Sequence, residues 1–231
     1  MLLDVGGVFH LPDHDMIREA FSRAEFDVDV EVLDHAHYAG AAAGSVDYEG
    51  ELVWRDFWPE YVDRYARMCE VPDDRFDDAV DHLDTTFTTM VPWARVIPGS
   101  REGLRELAEA GLRLGVVSNA DGTTAERLAL EEVLQVGPGT GVEVETLVDS
   151  GVVGVSKPDP RIFEMALDAL GLEPDDVIYV GDTPAIDVVG ARRAGIRPVV
   201  VDPFEMHTEA DFERVASLSE LADQVREGVF N

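Results

Sequence analysis

Asp4, Ser118, Lys157, Asp182 and Asp187 lie far apart in the chain, yet each has a type suited to chemistry on a phosphate ester. An aspartate on a tight turn such as Asp4-Val5-Gly6-Gly7 can attack phosphorus and form an aspartyl-phosphate, splitting one hard displacement into two easier ones. Asp182 and Asp187 offer hard oxygen donors of the kind Mg²⁺ prefers, with substrate phosphate and water completing the shell. Ser118 and Asn119, with the backbone N–H groups beside them, can hydrogen-bond a phosphate oxygen. Lys157 can hold the nucleophile and offset charge that develops on the transferring group. The carboxylates of Asp4, Asp182 and Asp187 balance one Mg²⁺ and one ammonium, so a phosphate dianion meets a nearly neutral site.

The lysine is conspicuous by composition. Of 18 basic side chains, Lys157 is the single lysine, set in Ser156-Lys157-Pro158-Asp159-Pro160. Where arginine serves almost every other need for a cation, a lone ammonium suits a role as a compact point donor that a planar guanidinium cannot fill. Each residue also has an ordinary structural use. A strand-end aspartate caps a turn, Gly181-Asp182-Thr183-Pro184 is a common helix start, and Ser118-Asn119 can serve as an N-cap. The functional reading rests on their convergence.

That convergence depends on the elements that carry them. Short β-branched runs at Leu112–Ser118, Glu143–Asp149, Val177–Gly181 and Pro198–Asp202 alternate with helical patterns near Arg101–Ala110, Thr123–Val133, Arg161–Leu170, Pro184–Ala194 and Ser217–Val225. With Met1–Val5 as a further strand, this alternation predicts an α/β fold, a doubly wound and mostly parallel sheet with helices on both faces. Ligands bind such sheets outside the carboxyl ends of the strands, where Asp4, Ser118-Asn119 and Asp182 fall; Lys157 is expected to open a helix just before the Asp182 strand.

From Pro12 to Val96 the pattern is helical, with no convincing strand. Ile17, Ala20, Phe21 and Ala24 make one stripe. Trp54, Phe57, Trp58, Tyr61, Tyr65 and Met68 make another, and Phe76, Val80, Leu83 and Phe87 a third. Gly40-Ala-Ala-Ala-Gly44 reads as a loop or hinge. The expected organisation is a core of residues 1–11 and 97–231 with a helical subdomain at 12–96.

With 231 residues, 45% of them hydrophobic, the chain can bury a sizeable core. Its formal charge of −30 comes from acidic residues spread along the chain, a composition like that of halophilic proteins. Molar salt, with a Debye length of roughly 3 Å, would relieve the self-repulsion of such a surface. Nucleic acid and anionic membrane are repelled. Cys69 is the only cysteine, which excludes an intramolecular disulfide, and it fits a packed helix. With no long apolar stretch and no charged leader before Asp4, the expected location is cytoplasmic. Only Met1, Leu2 and Leu3 precede Asp4, a short stub for a central strand, so some loss of stability is expected there.

In order and spacing, Asp4-Val-Gly-Gly-Val8, Val116-Val-Ser-Asn119, Lys157 within Ser156-Lys-Pro-Asp-Pro-Arg-Ile-Phe163, and Gly181-Asp-Thr-Pro-Ala-Ile-Asp187 resemble the four motifs of the haloacid dehalogenase superfamily of aspartate-nucleophile hydrolases. The resemblance covers nearly the whole chain. It implies a Rossmann-like core, a helical cap between the first motif and the second strand, and a Mg²⁺-dependent phosphatase acting on a small phosphorylated metabolite. It also assigns Asp4 as nucleophile and metal ligand, the Gly6 carbonyl, Asp182 and Asp187 as further groups around the metal, direct or one shell out, and Ser118, Asn119 and Lys157 as phosphate-binding residues.

The sequence departs from that pattern at one position. Phosphatases of the superfamily generally carry a second aspartate two residues after the nucleophile, to protonate the leaving group, and here it is Gly6. General acid–base help is worth about 10²–10⁴-fold, so substrates with good leaving groups are expected to react best. His10, Asp13, His14 and Asp15 are the nearby groups that could replace it, although a loop or cap-entry role suits each. Trp54, Arg55, Trp58 and Tyr61 are candidates for the substrate wall, with packing of the cap as their competing role, and Arg95 is a pocket or surface ion-pair residue. Two other functions fit parts of the pattern: a metal-independent 2-haloacid dehalogenase, whose members also lack the second aspartate, and a non-catalytic phosphate- or partner-binding protein.

Overall fold

The structure is a computed structural model that describes residues 1–44, 54–90 and 92–230, without the side chains of residues 54–56. Its first part runs β1 (Leu2–Leu3), β2 (His10–Pro12), α1 (His14–Arg23), α2 (Val30–Ala41), α3 (Trp54–Met68), α4 (Asp73–Thr89) and β3 (Trp93–Val96). There follow α5 (Ser100–Glu109), β4 (Gly115–Ser118), α6 (Thr124–Leu130), β5 (Leu134–Val136), β6 (Val142–Val144), β7 (Thr146–Asp149) and α7 (Ser150–Val153). The last part is α8 (Arg161–Leu170), β8 (Ile178–Gly181), α9 (Asp187–Arg193), β9 (Arg197–Val201), β10 (Glu213–Val215) and α10 (Leu218–Arg226).

Six strands form one parallel sheet in the order β10-β9-β8-β1-β4-β7. The short β1 is central: Leu2 pairs with Gly115 on one side and Tyr179 on the other. The chain leaves β1 for β4 and later returns to lay β8 against β1's other edge. This reversal opens a crevice at the carboxyl end of β1, beside Asp4. Apolar side chains cover both faces. Leu104 and Leu107 of α5 pack with Leu218 and Leu221 of α10 on one, and Ile162, Phe163 and Ala166 of α8 pack on the other. Each helix is amphipathic, so hydrophobic burial fixes which face meets the sheet.

The helices α1–α4 have their own apolar cluster, in which Ile17, Phe21, Leu33, Tyr65, Ala79 and Leu83 are buried. Asp13 caps α1, its carboxylate accepting from the Asp15 and Met16 N–H groups. The chain enters and leaves this helical unit along an antiparallel ribbon of β2 and β3.

Several elements differ from the sequence-based expectation. The ribbon puts a strand at Trp93–Val96, where no strand was expected. Gly40 and Ala41 finish α2 rather than forming a hinge. The single strand expected at Glu143–Asp149 is two: β6 pairs with β5 in a separate small sheet, and only β7 joins the main one. The helix expected over Thr123–Val133 stops at Leu130, and Leu134–Val136 is a strand. Cys69 is buried, as expected.

Candidate active site

Asp4, Ser118 and Asp182 end or follow neighbouring strands, and Lys157 lies on a turn ahead of α8 rather than opening it. All four side chains and Asp187 are buried and line one cavity of about 560 Å³ between the sheet's carboxyl edge and the helical unit. Local backbone makes the crowding feasible. At Gly7, φ is +64°, and a Cβ there would lie 2.2 Å from the Asp182 Cγ; at Gly181 a Cβ would lie 2.4 Å from the Asp187 Cγ. Only glycine lets the backbone approach these carboxylates so closely.

Lys157 is the hub. Its Nζ lies 2.8 Å from Asp4 Oδ2 and donates to Asp187 Oδ1 at 2.8 Å and to the Tyr179 hydroxyl at 2.7 Å. Its three N–H donors are thereby spent. Burial alone pulls the ammonium down, but the nearby Asp187 and Asp4 carboxylates outweigh it and hold the pKa above the ordinary lysine value. The backbone of the same residue is clamped by Asn119: the Lys157 N–H donates to Oδ1 at 2.8 Å, and Nδ2 donates to the Lys157 carbonyl at 3.0 Å. Asn119 thus lines the cavity with both of its polar atoms committed to the lysine turn.

Asp4 is pushed up to about 7, first by burial, then by Asp187 and Asp182, with Lys157 opposing. Its Oδ1 is buried without a hydrogen-bond partner. An orphaned carboxylate oxygen beside a second carboxylate is a hard-donor arrangement suited to a divalent cation. Asp4, Asp182 and Asp187 each place one oxygen within 4.8 Å of the others. Asp187 accepts from the Asp182 and Thr183 N–H groups at 3.1 and 2.9 Å as well as from Lys157, and the Tyr179 hydroxyl is 3.1 Å away. Its lone pairs are largely committed, so it fits a place around an ion better than one on it. Asp4 and Asp182 keep free lone pairs, and the residues fit Mg²⁺.

Two contributors come from outside the motifs. His37 of α2 reaches the core, its Nε2 lying 2.9 Å from Asp182 Oδ2 and its Nδ1 2.9 Å from the Tyr61 hydroxyl. A carboxylate only accepts, so Nε2 carries the proton, and in the neutral ring Nδ1 accepts from Tyr61. The second is Trp93, whose indole would lie 3.5 Å from a Cβ placed on Gly6; a longer side chain at Gly6 would compete with that ring. Trp58, Tyr61, Phe57 and Phe87 form the rest of an aromatic wall while also packing in the helical unit's core. The Trp54 and Arg55 side chains lie outside the described residues.

The groups considered as replacements for an acid at Gly6 are elsewhere. His10 pairs with Glu131, His14 with Asp34 at 2.8 Å, Asp13 caps α1, and none of these lines the cavity. Arg95 pairs with Asp34. No signal in the sequence singled out His37 or Trp93, because both reach the site through tertiary packing.

A family model for the haloacid dehalogenase-like hydrolases matches residues 2–195. The chain belongs to that family. It is 41% identical over 128 residues to a phosphoserine phosphatase of Thermus thermophilus, covering 54% of this chain and 49% of that protein. It is 33% identical over 156 residues to a glyceraldehyde 3-phosphate phosphatase of Methanopyrus kandleri, covering 64% and 62%. The matches thus span about half to three-fifths of these relatives' lengths. The fold is also that of a HAD phosphatase from Thermococcus onnurineus, with a TM-score of 0.54 at 18% identity, covering 97% of this chain and 96% of that one.

Proposed function

We propose that the protein is a Mg²⁺-dependent phosphatase that hydrolyses a small phosphorylated metabolite through an aspartyl-phosphate on Asp4. The observation that carries this reading is the buried Asp4–Lys157 pair at the end of the central strand, 2.8 Å apart, with the second Asp4 oxygen left unpartnered. Relatives named as phosphoserine and glyceraldehyde 3-phosphate phosphatases support the reaction class.

Asp4 attacks phosphorus and the bond to the leaving oxygen breaks; water then cleaves the aspartyl-phosphate, releasing inorganic phosphate and restoring the carboxylate. Lys157 keeps the Asp4 carboxylate in place and offsets charge on the phosphoryl oxygens, Ser118 offers its hydroxyl to one of them, and Asn119 and Asp187 hold the lysine. Asp4 and Asp182, with the Gly6 carbonyl, would hold Mg²⁺, and Asp187 would support them. Bound there, Mg²⁺ would neutralise phosphate charge. Residues 12–96 act as a cap over a core of residues 1–11 and 97–231, and the aromatic wall shields the reaction from water. A cytoplasmic setting, and a surface adapted to high salt, belong to the same reading.

Because position 6 carries no acid, substrates with good leaving groups, such as aryl, acyl or anomeric sugar phosphates, are turned over faster than simple alkyl esters. Glycerol phosphate hydrolysed faster than 4-nitrophenyl phosphate would contradict this. The dehalogenase alternative displaces halide from carbon without metal; halide release from a 2-haloacid, indifferent to EDTA, would establish it in place of phosphate hydrolysis. Folded protein inactive in both assays would favour a binding role.

A further inference from the structure

Arg127 of α6 lines the same cavity as Asp4 and Lys157. In a chain of net charge −30, arginines are readily paired, and the other described ones are engaged. Arg64, Arg113 and Arg197 hold carboxylates, for example, and Arg101 donates to the Glu131 carbonyl. Arg127 has neither a hydrogen bond nor an ion pair among the described residues, and its Nε is buried without a partner. Asp121, also on the cavity wall, feels Arg127 through its field only; its Oδ1 accepts from the Thr123 N–H and hydroxyl. The helix is anchored at its start, where Asp149 accepts from the Gly122 N–H at 3.0 Å and the Thr124 N–H at 3.4 Å. The guanidinium is therefore held at the wall by a fixed backbone.

A half-buried guanidinium with an orphaned N–H is costly unless an anion completes it. Its planar fork matches a carboxylate in two parallel hydrogen bonds. Lys157 cannot take that anion, since its three donors are already used. Lys157 and the proposed Mg²⁺ are matched by the three aspartates, whereas Arg127 lines the cavity with no carboxylate paired to it among the described residues. One carboxylate matches its single charge; a second phosphate dianion would overshoot.

We propose that Arg127 is a specificity-determining residue that binds a carboxylate on the organic part of the substrate, so that carboxylated phosphomonoesters are preferred to neutral ones. This rests on the phosphatase reading and narrows its substrate class. The test compares phosphoglycolate with its neutral amide, for wild type, Arg127→Met and Arg127→Lys. Wild type should favour the carboxylate in kcat/KM, mainly through KM. Arg127→Met should cut that preference by about 10- to 100-fold, and Arg127→Lys should restore part of it. An unchanged preference in Arg127→Met, or none in wild type, overturns the inference while leaving the phosphatase reading intact. Titration calorimetry of phosphoglycolate onto Asp4→Asn protein supplies a readout without turnover. If no variant hydrolyses either ester, this titration still decides: weaker binding on adding Arg127→Met supports the role of Arg127, and equal binding refutes it, while hydrolysis of 4-nitrophenyl phosphate tests the phosphatase reading separately.

Discussion

The two walls of the cavity are built on different principles. The sheet side is ionic: Asp4, Lys157, Asp182 and Asp187 are buried and bound to one another or to backbone. The helical side is aromatic, with Trp58 stacked on Tyr61 at a ring separation of 4.8 Å, and one polar link to the sheet side runs from His37 to Asp182. Strand ends of one continuous sheet can fix charges to within a hydrogen bond, whereas a separately packed helical unit presents shape and a few contacts. On the proposed reading, reaction type belongs to the first wall and selectivity to the second and to Arg127, which also lines the cavity.

The largest break in this contrast comes from the hub. Lys157→Met leaves Asp4 and Asp187 buried without their cation, an uncompensated pairing that costs about 3–5 kcal/mol of stability. Turnover should fall by about 10²–10³-fold or more in whatever protein remains folded. Chemical denaturation and phosphate release measure the two effects, and a variant as stable and active as wild type would remove Lys157 from the centre of the account.

Next comes the link between walls. His37→Ala removes the hydrogen bond to Asp182, and loss of a group that orients a metal-binding carboxylate typically weakens binding by about 10- to 100-fold. Mn²⁺ binding followed by electron paramagnetic resonance should show that loss, with His37→Gln intermediate. Unchanged affinity would mean that the helical unit touches the site without shaping it.

A third effect is a pH dependence of the metal-free protein. Asp4 is raised to about 7 in the fold, chiefly by burial, from an ordinary value of 3.8. A raised carboxyl stabilises the fold fully below its unfolded value, and that contribution is lost as pH climbs through about 7. Asp4→Asn lacks this loss, so in EDTA its unfolding free energy, measured by chemical denaturation, should gain on wild type from pH 4 to pH 7, by at most about 1.4 kcal/mol per pH unit. A gap that stays constant over this range would show that Asp4 is not raised.

The ionic wall was legible in the sequence because its residues sit at strand ends, and strand ends follow from short β-branched runs. The α8 boundaries were read correctly from its apolar stripe, and β8 and β9 to within a residue. The aromatic wall was legible only as a stripe. The helix α2 was missed because Ala36 through Ala41 are all buried, leaving no polar face and no period to detect. With α2 went His37. The three-residue strands β5 and β10 are too short to show alternation and form only because a neighbouring strand is already in place. Arg127 carries no signature in the chain; its meaning comes from the partner it lacks in three dimensions.

Phosphate release from 4-nitrophenyl phosphate in molar KCl, by wild type and Asp4→Asn, with Mg²⁺ or with EDTA, tests attack by Asp4 beside a bound ion. Wild type should release phosphate only with Mg²⁺, and folded Asp4→Asn protein should release none. Release by Asp4→Asn at the wild-type rate, or release indifferent to EDTA, would contradict that mechanism.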